Sequence, residues 1–101
     1  MPTESFIKQP SETFTIAGDY VNVLETAETI TLGSSSVTST DVNGDPAPGV
    51  LSGIPSVATS RLKQKIQGGT EELSPYKITF LAVTSLANAF EIDVFMEIVE
   101  T

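Results

Sequence analysis

Near the C-terminus Phe90, Ile92, Val94, Met96 and Ile98 alternate with Glu91, Asp93, Phe95, Glu97 and Val99. One set is wholly apolar and the other carries the acids. A period of two over this length predicts a strand with one buried face. A helix would gather Phe90, Val94 and Ile98 but would wrap Glu91 and Phe95 onto the same side. Upstream, Tyr76, Ile78, Phe80 and Ala82 share a face, while Leu81 and Val83 leave the second face partly apolar. That is the pattern of a central strand. The short link Thr84-Ser85-Leu86-Ala87-Asn88-Ala89 predicts that the two strands pair as an antiparallel hairpin.

Residues Val57 to Ile66 read as one further strand, with Arg61, Lys63 and Lys65 on one face and Leu62 and Ile66 on the other. Gln67-Gly68-Gly69-Thr70 then breaks it, and Glu71-Glu72 and Ser74-Pro75 continue the turn chemistry. In the N-terminal half the signals are shorter. Phe6-Ile7-Lys8 reads as an extended piece ended by Pro10. Phe14 and Ile16 alternate with Thr13 and Thr15 as a strand. Val21, Val23 and Leu24 fit a helical turn or a packed loop. Ile30 and Leu32 alternate with Thr29 and Thr31 as a strand entering the Ser/Thr-rich stretch from Ser34 to Thr40. Asp41 to Gly53 holds Asn43-Gly44, Asp45-Pro46, Pro48-Gly49 and Ser52-Gly53, and reads as an exposed loop or a wide hairpin turn.

About six or seven short strands spaced by turns, with no long helix, predict an all-β fold. The expected architecture is a single immunoglobulin/fibronectin-III-like antiparallel β-sandwich over residues 1–101, with 1–10 as an extended N-terminal arm. Gly68-Gly69-Thr70 followed by Tyr76 at the start of the penultimate strand is the place of a tyrosine corner, whose hydroxyl bonds back to backbone. This gives Tyr76, Gly68 and Gly69 structural roles. The Trp and paired Cys of antibody domains are absent, so fibronectin-like relatives fit better than antibody-like ones, with a small open barrel as the alternative fold.

The 101 residues include no Cys and no His. Disulfides, thiolate metal sites, the commonest general base and the usual pH switch are therefore excluded. A formal net charge of −8 repels nucleic acid and anionic membrane surfaces. The first residues lack the basic start and apolar stretch of a signal peptide, and no apolar run approaches a membrane span. The expected location is the cytoplasm until the chain joins an assembly.

Candidate chemistry is sparse. Asp41-Val42-Asn43-Gly44-Asp45 resembles the first half of a calcium loop, but Pro46 and Ser52 stand where that loop needs Gly and a bidentate Glu. An Asn-Gly turn accounts for it better. Gly68-Gly69-Thr70 lacks the Lys of a phosphate loop and is flanked by Glu71-Glu72. Arg61, Lys63 and Lys65 form either a patch for an acidic partner or, as favoured, a neutraliser of Glu91, Asp93 and Glu97 across strands or of a neighbouring subunit. Glu71-Glu72 and Glu91/Asp93 lack the burial that acid–base catalysis requires. No base accompanies the serines and threonines, so no enzyme and no cofactor are expected.

Lys8-Gln9-Pro10-Ser11-Glu12, Leu51-Ser52-Gly53, Gln67-Gly68-Gly69-Thr70, Tyr76-Lys77-Ile78-Thr79-Phe80 and Val83-Thr84-Ser85 together resemble small virion proteins of tailed bacteriophages and prophages, the fibre–tail adaptor group. The family's Thr-Ser turn leads to a Gly, whereas here Leu86-Ala87-Asn88 follows. The resemblance implies a non-catalytic tail or fibre adaptor. Its location would be the host cytoplasm during assembly and then the virion. Its partners would be other virion or tail proteins, or further copies of itself, with no nucleic acid and no membrane. The alternative is an immunoglobulin-like carbohydrate- or surface-binding module, with Tyr20 and Phe95 as the aromatics free to form a platform.

Overall fold

The structure, a computed structural model, describes residues 3–100. Seven strands are present: β1 (Thr3–Lys8), β2 (Phe14–Asp19), β3 (Ser36–Thr40), β4 (Leu51–Ala58), β5 (Arg61–Ile66), β6 (Tyr76–Val83) and β7 (Ala89–Ile98). Two short 3-10 turns, Leu32–Ser34 and Pro48–Val50, are the helical segments among the described residues. One sheet has the order β1-β7-β6-β3 and the other the order β2-β5-β4. The alternation sets which side chains meet between them. Ile78, Phe80 and Ala82 of β6, Met96 and Ile98 of β7, and Leu62 and Ile66 of β5 are all sealed from solvent. Burying each large apolar side chain of this kind contributes roughly 1.5–3 kcal/mol. The result is the all-β, immunoglobulin-like sandwich that the pattern predicts, with β6 and β7 paired antiparallel along their length.

Four expectations are corrected. First, the N-terminal segment is no free arm. Thr3–Lys8 is the edge strand of its own four-stranded sheet and runs parallel to β7, so the sandwich is not wholly antiparallel. Second, the single strand expected from Val57 to Ile66 is two strands. They turn at Thr59-Ser60, and Thr59 takes φ 57. A β-branched residue there carries no Gly or Asn signal. The turn is held instead by Asp19, whose Oδ1 accepts from Ser60 Oγ at 3.0 Å, and by the Tyr20 N–H donating to Ser60 O at 2.8 Å.

Third, Ile30 makes only an isolated bridge to Thr84, and the chain coils through Leu32–Ser34 before β3 begins. Ser35 closes that coil by donating its N–H to Leu32 O at 3.1 Å. Fourth, Leu51–Gly53 belongs to β4 rather than to the preceding loop. A bulge lies between Ser52 and Ser56, with Gly53 at φ +72. The buried Gln64 amide stitches it, donating to Ser52 O at 3.1 Å, Gly53 O at 3.3 Å and Lys65 O at 2.9 Å.

Gly18 on β2 packs close against Phe80 of the other sheet. A Cβ there would lie 3.2 Å from Phe80 Cβ and 3.3 Å from the Tyr20 hydroxyl. Tyr20, the residue after β2, uses that space to donate its hydroxyl to Phe80 O of β6 at 2.7 Å. Burial pushes its hydroxyl pKa far above the ordinary tyrosine value, with the nearby Glu91 adding to the rise.

Candidate functional site

The surface with the most unspent chemistry is the outer face of the three-stranded sheet. Leu62, Gln64 and Ile66 point inward, so Arg61, Lys63 and Lys65 point out from the central strand of that sheet. Their cross-strand neighbours are Asp19, Ala17 and Thr15 on β2, and Ala58, Ser56 and Ser52 on β4. Three cations therefore stand in a row above small side chains. Arg61 pairs with Asp19 at 3.4 Å, both exposed, and such a pair is worth little in water. The Asp19 carboxyl is held below the usual range, first by the Val21 N–H and then by the Ser60 hydroxyl. Lys63 and Lys65 make no ion pair among the described residues.

The expectation that this row neutralises Glu91, Asp93 and Glu97 across strands is overturned by topology. β5 and β7 lie in different sheets, and their polar residues face out on opposite sides of the sandwich. Asp93 is served from its own sheet instead, by the Thr79 hydroxyl at 3.0 Å and by Lys77 at 3.8 Å.

Tyr76, Gly68 and Gly69 come together at one end of the sandwich. The Tyr76 hydroxyl accepts the Thr70 N–H at 3.0 Å. Gly69 sits at φ +93, and a Cβ there would lie 2.9 Å from Ile98 Cγ1 and Cδ1. The sequence reading missed Lys8, which is 1 % exposed at the same corner. Its ammonium donates to Gly68 O at 2.6 Å and to Gln9 O at 2.8 Å, tying β1 to the β5–β6 link. Burial lowers its pKa, against a smaller upward pull from Glu12.

At the opposite end Glu28 is the buried group. It accepts from the Thr84 hydroxyl, from the Glu25 N–H at 2.8 Å and from Asn88 Nδ2 at 3.0 Å. These bonds, the Thr84 hydroxyl foremost, hold its carboxyl below the usual range. They also lock the β2–β3 link onto the β6–β7 hairpin.

The remaining candidates resolve locally. The Asp41 carboxylate accepts the Asn43 N–H at 2.9 Å and the Asp45 N–H at 3.1 Å, which makes it the cap of a tight turn through Gly44. Glu71 Oε1 accepts the Glu100 N–H at 3.0 Å. Tyr20, one of the two aromatics offered for a glycan platform, is 1 % exposed and is removed from that role. Phe95 is half-buried on the outer face of the four-stranded sheet, in a cleft of about 570 Å3 that Ile7, Pro75 and Glu97 also line. No group of three or more His, Cys, Asp or Glu side chains able to hold a metal occurs among the described residues. No helix among them is long and apolar enough to cross a membrane. No family model matches the chain, and no curated protein matches it.

Proposed function

We propose that the chain is a non-catalytic structural module of a tailed phage or prophage particle, a tail or fibre adaptor that acts by protein–protein assembly. The observation that carries the assembly reading is the row of Arg61, Lys63 and Lys65. It lies on an outer sheet face with small cross-strand neighbours, and two of its cations have no acidic partner within the described residues. On a chain of net charge −8, such a face fits an acidic protein surface and not a nucleic acid. The sequence resemblance set out above supplies the particle. The test is the protein composition of phage-like particles purified after prophage induction of the host that encodes the chain. Peptides of this chain at a fixed ratio to tail proteins support the reading. Complete particles without the chain sink it.

A further inference from the structure

The partner of the basic row can be named from the rest of the molecule. The two outer faces of the sandwich carry opposite charge. On the four-stranded sheet, Glu91, Asp93, Phe95 and Glu97 point out from β7, beside Lys77 and Thr79 of β6 and the exposed Ile7 of β1. Lys77 pairs with Asp93, and Glu91 and Glu97 are left without a cation among the described residues. The basic face carries the opposite sign in a different order, with its ion pair at one end of the row and its two unpaired cations side by side. Asp19 pairs with Arg61, while Lys63 and Lys65 are left over. Among the described residues each face thus holds one internal ion pair and two unpartnered charges of one sign.

The spacings decide which acid is met. Lys63 and Lys65, two residues apart on β5, stand about 6.6 Å apart, whereas Glu91 and Glu97, six residues apart on β7, stand about 20 Å apart, so the lysine pair reaches one of these acids at a time. The cleft beside Glu97, floored by Ile7, Pro75 and Phe95, offers apolar walls for a lysine stem and a carboxylate for its ammonium. We propose that the occupant of this acidic face is a second copy of the chain. Lys63 and Lys65 of one copy dock on the Glu97–Phe95–Ile7 surface of the next. This rests on the assembly reading above and specifies its partner.

Because the two faces lie on opposite sides, the contact is heterologous, and each copy keeps one face free for another. Repetition gives rings if the rotation closes and stacks if it does not. Three strands about 4.8 Å apart and six residues long make a patch roughly 14 by 20 Å. That is well below the ~800 Å2 per partner of a stable pair, so stacking is weak, concentration-dependent and salt-sensitive.

Sedimentation velocity on the whole chain tests this. The expected result is an average mass that rises with protein concentration in about 0.1 M salt. It should collapse to the monomer near 1 M, where the screening length falls from about 10 to about 3 Å. The double reversals Lys63→Glu/Lys65→Glu and Glu91→Lys/Glu97→Lys should each weaken association at least about tenfold. An equimolar mixture of the two should recover it, because each then supplies the face the other has inverted. Thermal melts check that both variants fold. A wild-type chain that stays monomeric at all concentrations overturns the proposal, as does a mixture that fails to re-associate. A chain that is monomeric yet present in particles overturns the stacking alone. A chain that stacks but is absent from particles sustains the stacking and sinks the particle role.

Discussion

The two ends of the sandwich are closed by buried groups of opposite charge, held in opposite ways. At one end Lys8 caps the carbonyls of Gln9 and Gly68 beside the Tyr76 corner. At the other, Glu28 collects donors from Thr84, Glu25 and Asn88. Both pKa values fall, but the falls mean different things. For Glu28 the hydrogen bonds favour the charged form, so the fold gains from its ionisation. For Lys8 desolvation outweighs its partners, so the fold bears a cost for the cation. The carboxylate end is an electrostatic latch. The ammonium end is a geometric one, in which Lys8 joins the Gly68 carbonyl of the turn to the Gln9 carbonyl at the end of β1.

The largest expected effect lies at the geometric end. Gly69→Ala must place a Cβ at φ +93 and 2.9 Å from Ile98, at a cost of about 3 kcal/mol. Urea denaturation would show it as a lower midpoint with an unchanged slope. A variant as stable as the wild type would mean that the corner relaxes freely.

Lys8→Met keeps the stem and removes the donors, and should cost about 1–2 kcal/mol through the carbonyls left unpaired. It should also alter the alkaline limb of stability. A lysine whose folded pKa is lowered penalises the fold fully below that pKa, and the penalty fades as pH rises toward the unfolded value of 10.5. This rise should be missing in the Met variant. In both proteins stability should then fall above about pH 10, as Tyr20, raised in the fold, ionises only in the unfolded chain.

Glu28→Gln has the smallest effect in shape and is read in acid. The lowered folded pKa contributes stability present above the unfolded value of about 4.5 and lost as pH falls through the folded one. The Gln variant should therefore show a shallower loss of stability below about pH 4.5. An identical acid limb would mean that Glu28 holds no latch.

The sandwich was legible where one side-chain period ran uninterrupted. From Tyr76 to Ile98 the alternation fixes the strands, their inner faces and the hairpin. It failed where tertiary contacts replaced local signals. Thr59-Ser60 turns the chain with no Gly or Asn, because Asp19 holds it from another strand. Gln64 occupies an inward position between Leu62 and Ile66, so its parity was visible, but its use as a staple for the β4 bulge depends on backbone 11 and 12 residues away. Lys8 carries no sequence signal of burial at all. The cations of β5 were legible as a row. Which sheet they face was not, because strand order is a property of the whole fold.

The account turns on that row being the working surface. The direct measurement is the copy number of the chain in particles from a host carrying the Lys63→Glu/Lys65→Glu allele. Beforehand, the purified variant should match the wild-type melting curve. The account predicts a folded protein that is lost from the particles or strongly depleted in them. Particles that hold the charge-reversed chain at the wild-type copy number would contradict it.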